Sequence, residues 1–394
     1  MKIKSLVIDG IAGIQHLELH FSKRINMICG VNGIGKTTIL DVIADAFHAD
    51  ASGKLKRNSL FKTGKYVIEI ENEGHYGIST SDRKEVVIDA FQPDTSFYHG
   101  TWQKYSVNCL NFGIDRNINY IKLDHIAPDP KRGSYINGKM AVEGISADDI
   151  KSWFVNRYLF GGKEGSLSEK QIANFKYAER MFGILDNTVA FKSIAASSFD
   201  IMLSTDRGDI YFEYLSAGYK SCIYIILGII KEIEYRFIEN PIYVQDFDGV
   251  ILIDEIELHL HPTWQAELVR VLKTIFPKAQ FIMTTHSPNV LQSLEKDEII
   301  ALGKDDGGRT VLKELKLGRF GLQGWTLEEI MKYVMEMPET TTLLYQETLE
   351  RFDEAMNREE RDTILEQYHL LKEMLHPDNP LCRLLSIQVA EWEE

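Results

Sequence analysis

Nine consecutive residues, Gly30-Val31-Asn32-Gly33-Ile34-Gly35-Lys36-Thr37-Thr38, carry the densest chemistry in this 394-residue sequence. They fill the pattern G-x-x-x-x-G-K-[ST], in which glycines let backbone N–H groups converge on a phosphate and the following helix adds its N-terminal dipole. On this reading Asn32, Gly33, Gly35, Lys36, Thr37 and Thr38 bind the phosphates of ATP. Lys36 reaches the β- and γ-phosphates, and Thr37 ligates a magnesium ion. A glycine turn capping a helix is the plainer alternative, but it does not require every fixed position to be filled, as here.

A second signal is Gly249-Val250-Ile251-Leu252-Ile253-Asp254-Glu255, an apolar run ending in two carboxylates. A buried strand has no structural use for two acids at its end. Asp254 would hold the magnesium through water, and Glu255, pointing to the opposite side, would polarise the attacking water. The run Gln280 to Thr285 is also strand-like and ends in Thr284-Thr285-His286-Ser287-Pro288, which places His286 where it can sense a γ-phosphate.

The elements needed to position these residues are legible in outline. Lys2 to Asp9, the segment GIQHLELHF and Ile25 to Cys29 read as strands, and Thr37 onward as a helix, so the glycine loop lies between strand and helix. Tyr66 to Glu71 and Glu85 to Phe91 read as paired strands. Residues 93–165 are rich in Asn, Asp, Gly and Pro, and roughly 92–200 reads as an insertion with helices at Ala147–Arg157 and Ser168–Leu185. Order returns with a strand at Asp209–Leu215, an apolar helix at Gly218–Arg236, a strand at Val250–Ile253, a helix at Thr263–Ile275 and a strand at Gln280–Met283. That alternation is the signature of a parallel sheet covered on both faces. Helical spacing then dominates from Leu327 to Trp392. The expected layout is an ATPase domain in two segments, 1–91 and 201–318, around the insertion 92–200, followed by a helical tail 319–394.

Leu215-Ser216-Ala217-Gly218-Tyr219-Lys220 resembles the ABC signature, commonly LSGGQ or LSGGE. In that motif the serine hydroxyl and glycine N–H groups bind the γ-phosphate of a nucleotide held by another subunit, so Ser216 and Gly218 imply a homodimer with ATP sandwiched inside and leave higher assembly open. Ser216 as a plain helix cap is the alternative, and Lys220 departs from the usual Gln or Glu. The run Asp254-Glu255-Ile256-Glu257-Leu258-His259-Leu260-His261-Pro262, followed by THSP, is similar to that of the OLD-like defence ATPases of the ABC/SMC superfamily. The resemblance implies an α/β fold: an ABC/SMC-type P-loop ATPase head with an inserted helical region and a C-terminal helical tail. His259 and His261 are then structural or interface residues and not metal ligands. The acidic tail also resembles that of the small ATPase subunit of Septu-type antiphage systems, which implies a separate HNH nuclease as partner. The family's glutamine between P-loop and signature would be Gln92 by position. Sustained heptads for a long coiled-coil arm are missing, and the helical tail lacks any D-x-D for a nuclease domain, so nuclease activity in this chain is not expected.

Composition narrows the partners. The chain is 44% apolar and 26% charged, as globular proteins are. Cys29, Cys109, Cys222 and Cys382 form no C-x-x-C pair, so a reducing cytoplasm is expected. The N-terminus lacks the apolar stretch of a signal peptide, and the apolar run Cys222 to Ile230 is too short to cross a bilayer, so no membrane contact is expected. Of the net charge of −14, the stretch from Arg319 to Glu394 supplies −10, with seven Lys or Arg against seventeen Asp or Glu. Such a tail repels phosphates and suits a basic protein partner. Lys54, Lys56, Arg57, Lys62 and Lys65, in an acid-free stretch from Ala51 to Ile68, read first as a solvated loop, since no aromatics beyond Phe61 and Tyr66 offer a stacking platform; were nucleic acid sensed, this would be the place. Two other functions compete with a defence ATPase: a DNA-clamping repair ATPase, disfavoured by the missing arm, and a transporter motor, disfavoured by the LHLHP and THSP strings.

Overall fold

The computed structural model describes residues 1–48, 52–73, 79–99, 102–116, 118–337 and 340–392. The described elements begin with β1 (Lys2–Ile11), β2 (Ile14–His20), β3 (Ile25–Cys29), α1 (Lys36–Asp45), β4 (Gly64–Glu73), β5 (Ser79–Ile88) and β6 (Cys109–Phe112). The middle of the chain gives α2 (Ser134–Glu143), α3 (Ile150–Phe160), α4 (Glu169–Met181), β7 (Ala190–Ile194), β8 (Ile201–Thr205), β9 (Gly208–Tyr211) and α5 (Ala217–Arg236). Then come β10 (Val250–Ile253), α6 (Pro262–Ile275), β11 (Gln280–Thr284), α7 (Pro288–Gln292), β12 (Ile299–Lys304), β13 (Thr310–Leu312) and α8 (Leu327–Tyr333). The chain ends in α9 (Leu343–Arg358), α10 (Arg361–Met374) and α11 (Pro380–Val389).

A six-stranded sheet in the order β13-β12-β3-β11-β10-β6 forms the centre. All its pairs are parallel except β12 with β13. Every residue of β3, β6, β10 and β11 is buried, which explains why these strands read as unbroken apolar runs without alternation. A four-stranded antiparallel sheet, β2-β1-β4-β5, covers one side, and its inward residues Ile3, Leu6, Ile8, Ile68 and Ile70 pack on α1 and the even-numbered side chains of β10. On the opposite side α5 is buried over almost its whole length and joins α3, α4 and the odd-numbered side chains of β10 in the larger core. The loops after the carboxyl ends of β3, β10 and β11, three neighbouring strands, therefore open at one edge, the usual ligand position in an open parallel sheet.

β6 was hidden in the segment read as an insertion. Its four residues Cys109-Leu110-Asn111-Phe112 pair in register with Val250 to Ile253, so the core sheet reaches into 92–200 before α2, α3 and α4 begin. The residues read as the strand Asp209–Leu215 split into β9 and a 3-10 turn at Phe212–Tyr214.

Contacts divide the chain into two compact units, Met1–Glu336 and Met337–Glu394. Ile330, Val334 and Met335 belong to the core of the first unit, so α8 is part of that unit although its sequence reads as the start of the tail. The second unit has its own small core of Phe352, Ala355, Ile364, Tyr368, Leu371, Leu385 and Val389.

Candidate active site

The loop from Gly30 to Gly35 needs its glycines for backbone reasons. Gly30, Gly33 and Gly35 have φ of 145°, 73° and 107°, and a Cβ on Gly30 would lie 2.5 Å from the carbonyl oxygen of Leu302; only glycine accepts such angles without strain. Gly35 caps α1, whose first residues are Lys36 and Thr37. The Lys36 ammonium curls back to the carbonyls of Gly30 (2.9 Å) and Val31 (3.0 Å). Burial pulls it below its ordinary pKa, against Glu257, Glu255 and Asp254, which pull it up, so an anion arriving in the loop would stabilise its charge.

Thr37 faces the end of β10. Its hydroxyl lies 3.0 and 3.2 Å from the two carboxylate oxygens of Asp254, and Thr284 Oγ1 donates to Asp254 at 2.6 Å. The sheet register produces this meeting, because Ile253 pairs with Met283 and Thr284 with Ile28. A hydroxyl and a carboxylate at this separation are the oxygen ligands a magnesium ion prefers, with remaining positions for water and phosphate. A cavity of about 680 Å³ opens beside them, lined among others by Thr37, Asp41, Lys54, Asn111, Asp115 and Asp254.

Glu255 follows Asp254 at φ 48°, a left-handed conformation uncommon outside glycine. Its N–H donates to Thr284 Oγ1 at 2.7 Å. Glu257 then fixes the next loop: it accepts from Thr285 Oγ1 at 2.7 Å and from the His286 N–H. His286 is half-buried, and burial together with the Lys36 charge lowers its pKa, against Glu257, Glu255 and Asp254. Its imidazole is thus neutral near pH 7 and can donate or accept a hydrogen bond. Lys36 and His286 both feel the charges of Asp254, Glu255 and Glu257.

Ser216 and Gly218 stand apart from this cluster. Ser216 is exposed and caps α5, its Oγ accepting from the Tyr219 N–H at 3.3 Å. Gly218 is obligatory for another reason: a Cβ there would lie 2.4 Å from the carbonyl oxygen of His259. Ser221 Oγ donates to the Leu258 carbonyl at 3.2 Å, so the signature-like turn rests on the loop after Glu255 within the same chain. Lys220 donates to the carbonyls of Glu213 (3.2 Å) and Ile118 (3.5 Å). His259 is exposed at φ 67°, and His261 caps α6 by accepting from the Thr263 N–H. Gln92 lies exposed in a turn where its carbonyl accepts from Thr95; the side-chain bonds to Asp254 come from Thr37 and Thr284 among the described residues.

Several of the basic residues in 54–65 are committed to neighbours. Lys54 pairs with Asp41 at 2.6 Å and Lys65 with Glu85 at 3.7 Å. Lys56 donates to the Thr95 carbonyl, and Arg57 bonds the Phe61 carbonyl while lying 4.4 Å from the Phe91 ring centre. Ala51, where the acid-free stretch begins, lies outside the described residues. Sequence reasoning missed Arg116, whose guanidinium reaches the carbonyls of Asp254 and Ile256; a lone arginine in an unassigned segment gives no signal.

Comparison with known proteins decides the family. The chain is 43% identical, over 394 residues, to the Septu protein PtuA of Bacillus thuringiensis, covering 99% of this chain and 98% of that one. The chain belongs to the Septu PtuA family. It also matches, at 36% identity over 72% of its length and 70% of the relative's, a protein named "Retron Vc95 probable ATPase" from Vibrio cholerae serotype O1 biovar El Tor. Two family models match, "AAA domain, putative AbiEii toxin, Type IV TA system" over residues 104–292 and "AAA domain" over residues 5–131. A crystal structure of an SMC head bound to the C-winged helix domain of ScpA aligns with TM-score 0.48 at 17% identity, covering 80% of this chain and 98% of that one. This Septu PtuA homologue is an ATPase with an α/β fold followed by C-terminal helices. Among the described residues no helix is long and apolar enough to cross a membrane.

Proposed function

We propose that this ATPase of antiphage defence closes into a homodimer around ATP, and that the closed and open states license a partner effector, a nuclease of HNH type. In each site Lys36 and the N–H groups around Gly33 and Gly35 take the phosphates. Thr37 and Asp254 hold Mg²⁺, Glu255 polarises the attacking water, and His286 senses the γ-phosphate. Chemistry of this kind consists of positioning and charge stabilisation more than covalent steps.

One observation carries the dimer: the phosphate loop and the two carboxylates meet within one chain, while Ser216 is exposed on a turn that contributes none of the described hydrogen bonds to them. A signature that is built but not used in its own site suits a second copy's nucleotide. The effector would dock on the tail, where residues 337–394 carry fourteen acids against five Lys or Arg and can attract a basic surface. Mass measurement of Glu255→Gln with and without ATP tests the reading. ATP should convert monomer to dimer in Glu255→Gln and leave Lys36→Ala monomeric; an ATP-loaded Glu255→Gln that stays monomeric contradicts it.

A further inference from the structure

Arg116 leaves the end of β6 and is 2% exposed. Its Nε donates to the carbonyl of Gly113 at 3.1 Å, its Nη1 to that of Ile256 at 3.4 Å, and its Nη2 to that of Asp254. Among the described residues none of these partners is a carboxylate. Removing a guanidinium from water without an ion pair is costly, and what this one holds is the backbone on both sides of Glu255. That backbone needs holding. Glu255 has φ 48°, and a left-handed non-glycine residue persists only where its surroundings over-determine it. On the β11 side Thr284 receives the Glu255 N–H through its hydroxyl (2.7 Å) and the Ile256 N–H through its carbonyl (3.0 Å). On the β6 side Arg116 binds the preceding and following carbonyls. The turn is thus gripped through its N–H groups by one neighbour strand and through its carbonyls by the other.

We propose that Arg116 is a positioning residue for hydrolysis: its planar fork locks the left-handed turn that aims the Glu255 carboxylate, and it acts on water activation, not on nucleotide binding. The inference rests on the reading of Glu255 as the water-activating group. Phosphate contact lies at Lys36 and Thr37, on a different loop, so binding and turnover are separable. A lysine in place of Arg116 has a single ammonium and cannot reproduce a fork that bridges carbonyls two residues apart.

The test uses the full chain, with ATP affinity and steady-state phosphate release measured separately. Misplacing a catalytic group by about an ångström can cost about 100-fold, so Arg116→Ala should lose about that factor in kcat while ATP affinity stays within about threefold. Millimolar guanidinium should refill the slot and restore at least about tenfold of the lost rate, an effect that a merely destabilised protein would not show. Should Arg116→Ala fail to fold, Arg116→Lys carries the test, with kcat reduced about tenfold at nearly unchanged KM. Wild-type kcat in either folded variant overturns the proposal, as does a loss of affinity parallel to the loss of rate with no recovery in guanidinium. Glu255→Gln is measured alongside: wild-type turnover there would remove the Glu255 reading itself, a result distinct from failure at Arg116.

Discussion

Buried charge is handled in two ways in this protein. Along the C-terminal half of α5, Lys231, Glu232, Glu234 and Arg236 all point inward, and each acid meets cations. Glu232 lies 3.1 Å from Lys231, 3.3 Å from Arg236 and 3.2 Å from Arg132. Glu234 is 2.6 Å from Arg157, which is 2.6 Å from Asp129. Arg236 also takes the carbonyls of Ser106 and Cys109, fastening the start of β6. At the ends of β10 and β11 the acids meet hydroxyls and backbone: Thr37 and Thr284 for Asp254, Thr285 and the His286 N–H for Glu257. The first set is a closed ionic network that fixes helix to sheet. In the second, negative charge is oriented by hydroxyls and a backbone N–H, with no ion pair to Asp254 or Glu257 among the described residues, as suits a site that takes up a metal–nucleotide complex.

If that contrast holds, substitutions in the two regions should fail differently. The largest effect is expected at Glu255→Gln, where phosphate release should fall by about 10²- to 10⁴-fold while the thermal midpoint barely moves. A large drop in midpoint would place Glu255 with the structural charges. Arg157→Met inverts the pattern. It strands Glu234 and Asp129 without their cation and should cost about 3–5 kcal/mol in urea unfolding; a loss under about 1 kcal/mol would show that the network does not hold the fold. Lys36→Ala should weaken ATP binding about 100-fold, from roughly 3 kcal/mol of charge-assisted contact, without destabilising the protein, and calorimetric titration reads this directly.

Acid separates the regions more gently. Burial raises the Glu232 pKa, but Lys231, Arg236 and Arg132 outweigh it and hold the carboxyl below its ordinary value. The folded protein therefore binds fewer protons there than the unfolded chain. That stabilisation is complete above the ordinary carboxylate pKa of about 4.3 and disappears as pH falls through the lower folded value. Unfolding free energy measured from pH 7 downward should decline below about pH 5, and less so in Glu232→Gln; identical profiles would contradict the pairing. The smallest effect on the ATP site is expected from cutting the chain after Glu336. Affinity for ATP should stay within about threefold, while a copurifying effector is lost and, in the uncut chain, released by salt. Retention of the effector by the cut protein would place docking elsewhere. A cut before Gly324 is a poorer experiment, because it strips Ile330, Val334 and Met335 from the main core.

The site was legible because its chemistry demands fixed spacing at strand ends. Gly30 to Thr38 and Gly249 to Glu255 name themselves, and the buried runs INMIC, VILI and QFIMT mark the strands that carry them. β6 was not legible: CLNF is four residues long, has no β-branched residue, and lies among loop-forming residues, so only its pairing with β10 reveals it. The ions along α5 were equally hidden, since Gly218–Arg236 reads only as an apolar helix and nothing in Lys-Glu-Ile-Glu-Tyr-Arg points to Arg132, Asp149 and Arg157, which close around it. The tail's helices followed from their spacing, but helical spacing cannot assign Ile330 and Val334 to the body and Phe352 and Leu371 to a separate core.

The central claim is that each nucleotide is completed by a second copy, and mixing two inactive variants tests it most directly. Ser216→Arg retains an intact phosphate loop, and Lys36→Ala retains an intact signature. Each alone should be inactive, but a mixed dimer assembles one site with both intact parts. Each mixed dimer has one working site of two, so phosphate release should rise above that of either variant alone, to at most about half of the wild-type rate per mixed dimer. Mixed dimers demonstrated by mass, with no release above that of the separate variants, would contradict the account.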